Sequence, residues 1–204
     1  MLRRTLLSRA ALAALAISSP VHAAPAVGQV APDFSLPDTA GKRVTLSTFR
    51  GRHVVLEWVN PGCPYVRKHY GASNMQGTQK EVTAAGVVWL AINSTEQGSG
   101  DYLAPAQLAR WMQEQQAAAI HTLMDEEGTV GKAYGARTTP HMYIIDPKGL
   151  LVYAGGIDSI ASSRADDIKT AVNYVKQGVR EALAGRPISA ATTRPYGCSI
   201  KYKT

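Results

Sequence analysis

The alternation of apolar and polar positions divides the chain into short strands and helices. APDFSLPDTAGKRVTL alternates on both sides of Asp38-Thr39-Ala40-Gly41, which predicts a β-hairpin with a glycine turn. RHVVLEWV, Arg52 to Val59, is mostly apolar and β-branched, as a strand buried on both faces should be. Asn60-Pro61-Gly62 breaks it, and a helical stretch runs from Pro64, interrupted near Gly71 and resuming through Ala84. GVVWLAINS, Gly86 to Ser94, predicts a second buried strand, and Glu96 to Tyr102 a polar loop. Pro105 opens a helix that continues through AQLARWMQEQQAA. His121 to Asp125 predicts a short strand, and EEGTVGKAYG a helical turn ending at Gly135. HMYIID and LLVYAG flank Pro147-Lys148-Gly149 as a second hairpin. Ile168, Ala171, Val172, Val175, Val179 and Leu183 are spaced as one amphipathic helix over Ala165–Leu183, stopped by Gly185. Arg186 to Thr204 reads as an irregular tail.

Strands alternating with helices predict an α/β protein with a mixed central sheet flanked by helices. No linker divides the chain, and 204 residues suffice for one well-packed core. The N-terminus stands apart. MLRRTLLSRA carries Arg3, Arg4 and Arg9 without an acid; ALAALAI is a short apolar run, and VHA ends in a small-residue cleavage pattern. Residues 1–23 are therefore expected to be a signal peptide, making the protein exported, periplasmic or extracellular. The apolar run is far short of the roughly 20 residues that span a bilayer, so no stable membrane anchor is expected. Arg3-Arg4 is a partial twin-arginine signal and leaves the export route open. The formal charge of +7 falls to +4 once those three arginines are removed. That mild excess, without arginine-aromatic clustering, gives no support to nucleic-acid binding.

Candidate chemistry lies in WVNPGCPYVRKHY, Trp58 to Tyr70. Pro64 suits the first helical position, which makes Cys63 the N-cap residue. Unpaired backbone N–H groups and the positive end of the helix dipole then face its sulfur and favour thiolate, the nucleophilic form. Gly62 leaves room for a substrate. Arg67 is expected to assist electrostatically, whereas Lys68 is expected in solvent and His69 at the surface or satisfied. Cys198 is the other cysteine. A Cys63–Cys198 disulfide could be a permanent staple in a non-catalytic binding protein, contributing roughly 4–5 kcal/mol by closing a long loop. Alternatively, Cys198 resolves whatever forms on Cys63, with Gly197 lending flexibility for the visit.

APDFSLPDTAGKRVTLSTFRG, the strand-to-Cys63 corner and RTTPHMYIIDPKG together resemble the thioredoxin-like, peroxiredoxin-like superfamily over about residues 27–160. The resemblance implies a thioredoxin-like fold and a cis peptide bond at Thr139-Pro140 beside the active cysteine, where the two residues shape a docking groove. The chain departs from two subfamily patterns. A thioredoxin-type Cys-x-x-Cys has Val66 in its second place here. A peroxiredoxin-type Pro-x-x-x-Thr-x-x-Cys has Leu56 and Asn60 in place of proline and threonine. The pattern is similar to a peroxiredoxin-like subgroup with one such cysteine.

The domain expected over 27–185, followed by a tail over 186–204, is thus an exported thiol oxidoreductase with antioxidant or disulfide-exchange activity. Cys63 attacks a disulfide or hydroperoxide, Cys198 resolves, and Gly62, Pro64, Thr139 and Pro140 contact substrate. No cofactor fingerprint is present, so reducing power is expected from a protein or a small thiol. A metal at Cys63, His69 and His141 lacks ligand spacing, and His141 is the one candidate for a Cys-His pair. Arg137, close to Thr139-Pro140, is placed either near the sulfur or on an exposed loop. Trp58 and Trp89 are expected in the core, and Asn93-Ser94-Thr95 fits a glycosylation acceptor pattern.

Overall fold

The computed structural model describes residues 24–204; the leader expected over 1–23 lies outside the described residues. The hairpin around Asp38–Gly41 is present as β1 (Ser35–Pro37) and β2 (Arg43–Thr45), paired antiparallel. Behind it stands a five-stranded mixed sheet. β3 (Val54–Trp58) pairs parallel with β4 (Val88–Asn93), and β4 pairs parallel with β5 (His121–Met124). On its other side β3 pairs antiparallel with β7 (His141–Ile145), which pairs with β8 (Leu151–Gly155). The spatial order is β5-β4-β3-β7-β8.

Both faces of the sheet are covered, which is why β3 and β4 read as continuous apolar runs. Val55 and Trp89 face α1 (Pro64–Gly71), α2 (Asn74–Ala84), α3 (Pro105–Glu114) and α5 (Tyr174–Leu183). Val54, Leu56, Trp58, Leu90 and Ile92 face the hairpin and α4 (Thr129–Tyr134). Period-two alternation along each strand assigns these sets.

Three expectations change. The single helix over Ala165–Leu183 is two elements, a 3-10 turn over Ala165–Lys169 and α5. Asn173 caps α5 by accepting the Lys176 N–H at 2.9 Å, so the helix begins there, and Val172 is left 49% exposed outside it. The tail is not irregular throughout. Cys198–Ser199 forms β9, antiparallel to β6 (Thr138–Thr139). Further along, Tyr202 donates to the Ala136 carbonyl at 2.8 Å. The Asn93-Ser94-Thr95 triplet is buried, and Asn93 Nδ2 donates to the Val59 carbonyl at 3.1 Å, so it offers no surface acceptor for a glycan.

One charge-bearing residue lies inside the apolar run of β3. Glu57 is fully buried and accepts from Tyr70 Oη at 2.9 Å, Gln79 Nε2 at 3.0 Å and Trp89 Nε1 at 2.8 Å. Burial lifts its pKa to about 7 against the pull of those three donors. In the unfolded chain the same group ionises near 4.5. A raised folded value means the native state keeps its proton longer than the unfolded chain does. Stability contributed by the neutral carboxyl is therefore full below about pH 4.5 and is lost as pH rises toward 7. The loss amounts to about 3 kcal/mol. In Glu57→Gln, urea midpoints between pH 5 and 8 should vary less than in the wild-type chain; an unchanged slope would assign the pH dependence to other groups.

Candidate active site

Strand β3 runs out at Trp58, and the chain turns sharply before α1. Asn60 builds the turn, its Oδ1 accepting the Gly62 N–H at 2.7 Å and its carbonyl the Cys63 N–H at 3.0 Å. Pro64 then opens α1 and Cys63 is its N-cap, in extended conformation. Among the described residues, Cys63 and Cys198 are both free thiols. The Thr139–Pro140 peptide bond is cis, and Thr139 is the Cα partner of Cys198 across β6–β9. The structure therefore brings Cys63, Cys198, Thr139 and Pro140 together. The Cys63 thiol donates to the Thr139 carbonyl at 3.0 Å.

Cys63 is only 2% exposed, and burial pushes its thiol up. Hydrogen bonding outweighs that and lowers it overall. The anion is favoured by the Cys198 thiol, the Thr139 hydroxyl and the backbone N–H groups of Val66 and Cys198. While Cys63 is protonated, the Thr139 hydroxyl is buried without a partner and no side-chain cap bond closes at α1. Both gaps are ones a thiolate would fill. Cys198 moves in the opposite direction. Partial burial raises its pKa, helped by its bond to Cys63, the negative charge of a Cys63 thiolate and the Asp101 carboxylate. The pair is thus polarised: Cys63 is the sulfur that ionises, and Cys198 is the one that keeps its proton and donates it.

None of the other residues named from the sequence hydrogen-bonds the sulfur among the described residues. The exposed Arg67 ties back to the Pro61 carbonyl through Nε at 2.7 Å and buttresses the turn. Pro64 and Gly62 are exposed beside the sulfur. A Cβ on Gly62 would meet Asp101 Oδ1 at 3.1 Å, so the glycine admits the loop that carries that carboxylate. His141 projects from β7 alongside Tyr143, on the sheet face opposite Met142 and Cys63, which removes it as a proton acceptor for Cys63.

Lys68 is a correction: it is not in solvent. Its side chain is fully buried, with Nζ 3.7 Å from Asp158 Oδ2. His69 is buried and satisfied. The Tyr196 hydroxyl donates to Asp158 Oδ1 and lies 3.0 Å from His69 Nε2. Because that hydroxyl spends its proton on Asp158, it accepts from His69, which places the imidazole proton on Nε2. His69 Nδ1 is then free to accept from Asn74 Nδ2 at 2.7 Å. Burial lowers the His69 pKa to about 4, so the ring is neutral. This cluster grips the tail two residues before Cys198. Its members come from α1, the start of α2, the segment after β8, and the tail, and no local spacing in the sequence announces them.

Gly197 is not the flexible hinge expected. Its φ is +137°, and a Cβ there would lie 2.0 Å from the Thr139 carbonyl oxygen. It is glycine because two backbones approach too closely for a side chain.

A profile of the AhpC/TSA family matches residues 27–154. Peroxiredoxin Bcp of Escherichia coli is 30% identical over 112 residues, covering 53% of this chain and 63% of the relative. The chain thus matches less than two thirds of that relative's length. An uncharacterized conserved protein from Geobacillus kaustophilus superimposes with a TM-score of 0.74 at 26% identity, covering 87% of this chain and 93% of the other. The thioredoxin domain of a thiol-disulfide oxidoreductase from Bacteroides vulgatus superimposes at 0.52 and 20% identity, covering 72% and 98%, and agrees on the fold.

Two outcomes test this geometry. Cys198→Ala removes an S–H donor and should move Cys63 ionisation to higher pH, while Cys198→Ser retains a donor and should move it less; ultraviolet thiolate absorbance reads both. Gly197→Ala should dislodge β9 and speed alkylation of residue 198 by about tenfold or more, since a backbone clash here costs more than the roughly 1–3 kcal/mol of ordinary strain. Alkylation at the wild-type rate would show that the strand can shift to accommodate a methyl group.

Proposed function

The chain belongs to the AhpC/TSA family of thioredoxin-like redox proteins, and from that premise we propose that Cys63 and Cys198 form a catalytic dithiol that reduces a small hydroperoxide. The observation that carries this reading is the convergence of two free thiols on Thr139: Cys63, buried at a helix N-terminus, donates to its carbonyl, and Cys198, delivered by the tail, pairs with it across β6–β9. The Cys63 thiolate attacks the nearer peroxide oxygen; the O–O bond breaks, Cys63 becomes a sulfenic acid, and the departing alkoxide takes a proton and leaves as alcohol. Cys198 then attacks the sulfenic sulfur, and water leaves as the disulfide forms. Two electrons from an external dithiol, or from two equivalents of a small thiol that leave as their disulfide, return the pair to the dithiol.

Access favours a small oxidant. Cys63 is almost fully covered, and the edge of Thr139 is already occupied by the tail's own strand. Regeneration favours Cys198 as the sulfur attacked. It is the more exposed of the two, and attack there releases Cys63, the thiolate of lower pKa and the better leaving group. The reductant is a protein or small thiol able to present one sulfur at the surface. Export under the direction of residues 1–23 completes the proposal and would place the reaction in an oxidising compartment.

A second reading has its own support. Leu56 and Asn60 stand where a peroxidatic site of the family pattern carries proline and threonine, which favours a disulfide over a peroxide as the oxidant. The same two sulfurs serve, with a mixed disulfide on Cys63 in place of the sulfenic acid.

Cys198→Ser separates these readings. With hydrogen peroxide it should accumulate a sulfenic acid on Cys63 that dimedone captures; with a small aromatic disulfide it should accumulate a mixed disulfide. Cys63→Ser should do neither. If Cys63 in Cys198→Ser resists both reagents, and the wild-type pair titrates below about −300 mV as structural staples do, the catalytic proposal fails and the pair is a structural crosslink.

A further inference from the structure

Strand β7 leaves Pro140 and sends His141 and Tyr143 to the face of the sheet away from Cys63. There an open cavity of about 210 Å³ is lined by Arg137, His141, Tyr134, Tyr143 and Thr192, among others. His141 is 5% exposed. Its Nδ1 takes the backbone N–H of Arg137 at 3.3 Å and lies 3.2 Å from the Tyr143 hydroxyl, which itself reaches the Tyr134 carbonyl at 3.1 Å. A ring nitrogen that accepts from a backbone N–H carries no proton, so the proton of the neutral ring sits on Nε2. No described residue accepts it.

Nε2 is not sealed off from the cavity, so its proton is offered to whatever occupies that space. The remaining lining indicates which kind of occupant. The Arg137 guanidinium is exposed and makes no ion pair or side-chain hydrogen bond among the described residues. No carboxylate lines the cavity. The Thr192 hydroxyl adds a third donor, and two tyrosine rings form an apolar wall. Donors and a cation line one cavity whose walls carry no carboxylate.

We propose that this cavity is a binding site for a small oxyanion, of phosphate or carboxylate type, held between the Arg137 fork and His141 Nε2–H. The guanidinium offers two parallel donors, which suit two oxygens of one such group. The neutral imidazole supplies the third bond without a second buried charge. Burial and the Arg137 charge hold the His141 pKa down at about 3, so the ring remains a neutral donor across the whole physiological range. The site is distinct from the Cys63 pair and independent of the reaction that pair performs. Arg137 and His141 nevertheless bracket Thr138, Thr139 and Pro140, so an occupant would brace the loop that supports both sulfurs.

The test is a titration of the full chain with sodium phosphate and, separately, sodium succinate, each against sodium chloride at matched ionic strength. The His141 ring signals are followed by NMR and assigned from their loss in His141→Gln. A saturable shift with phosphate or succinate and none with chloride is expected, and the anion that saturates identifies the class. Arg137→Ala, which removes an exposed side chain and should leave the fold intact, is expected to weaken that affinity by about tenfold, the value of one charge-assisted hydrogen bond. A shift that never saturates, an equal response to chloride, or undiminished affinity in Arg137→Ala overturns the proposal. Should His141→Gln fail to fold, the Arg137→Ala comparison decides the matter alone.

Discussion

The arrangement of the two sulfurs depends on the backbone pairing of Cys198 with Thr139. Strand side chains alternate, so a slip of one residue would turn Cys198 away from Cys63 and bring Ser199 or Gly197 in its place. A two-residue strand has too few ladder bonds to hold such a register unaided. Contacts on either side hold it. Before Cys198, Tyr196 is tied to Asp158 and His69. After it, the Lys201 carbonyl accepts from Glu96 N–H and Tyr202 donates to Ala136. Between them Gly197 allows the strand to press against the Thr139 carbonyl, an approach closed to any residue with a Cβ. The thiol is positioned by three separate restraints, none of which is itself reactive.

Those restraints lead back to α1, the helix that carries Cys63 at its tip. Lys68 and His69 point toward Asp158 and Tyr196, and Tyr70 toward Glu57. Three consecutive residues thus connect the helix to the tail and to the central strand. Burying Lys68 against Asp158 is a poor route to stability, because desolvation consumes much of what the ion pair returns. Such a pair serves better to select one arrangement, since any docking of the tail that left Asp158 without its partners would bury a bare charge. The helix that polarises Cys63 and the tail that brings Cys198 are accordingly fastened through one polar cluster.

The corner at Cys63 was legible in the sequence because its causes are local. A buried strand, a breaker, a cysteine and a proline determine an N-cap without reference to the rest of the chain. Both hairpins and the split between α1 and α2 were legible for the same reason. The cis bond at Thr139-Pro140 was legible only through family resemblance, since nothing in Arg137–Thr139 itself distinguishes cis from trans. The docking of the tail was not legible. Cys198-Ser199 is too short to show a period, and its partner lies far back in the chain. Lys68 misled because a lysine in a helix is usually solvated, and the carboxylate that draws it inward sits beyond β8. The start of α5 misled for a related reason: Ile168, Ala171 and Val172 keep helical spacing, but the side chain of Asn173 claims the backbone and begins the helix anew.

The same donors that lower the Cys63 pKa also bear on how readily the pair would be oxidised and reduced. In the dithiol form they have a sulfur anion to bond: the Cys198 S–H, the Thr139 hydroxyl and two backbone N–H groups. A disulfide between the two sulfurs would remove the Cys198 proton altogether and replace the thiolate with a sulfur that accepts hydrogen bonds weakly. The Thr139 hydroxyl, buried and already without a partner beside a protonated Cys63, would be stranded again. Relative to the thiolate form of the reduced pair, each of these losses falls on the oxidised state. If the pair cycles as proposed, an environment built in this way would stabilise the dithiol relative to the disulfide and shift the couple toward an oxidising potential. A permanent crosslink would be better served by the reverse, apolar surroundings that offer a thiolate nothing. The polar lining of Cys63 is therefore an argument for a bond meant to be broken.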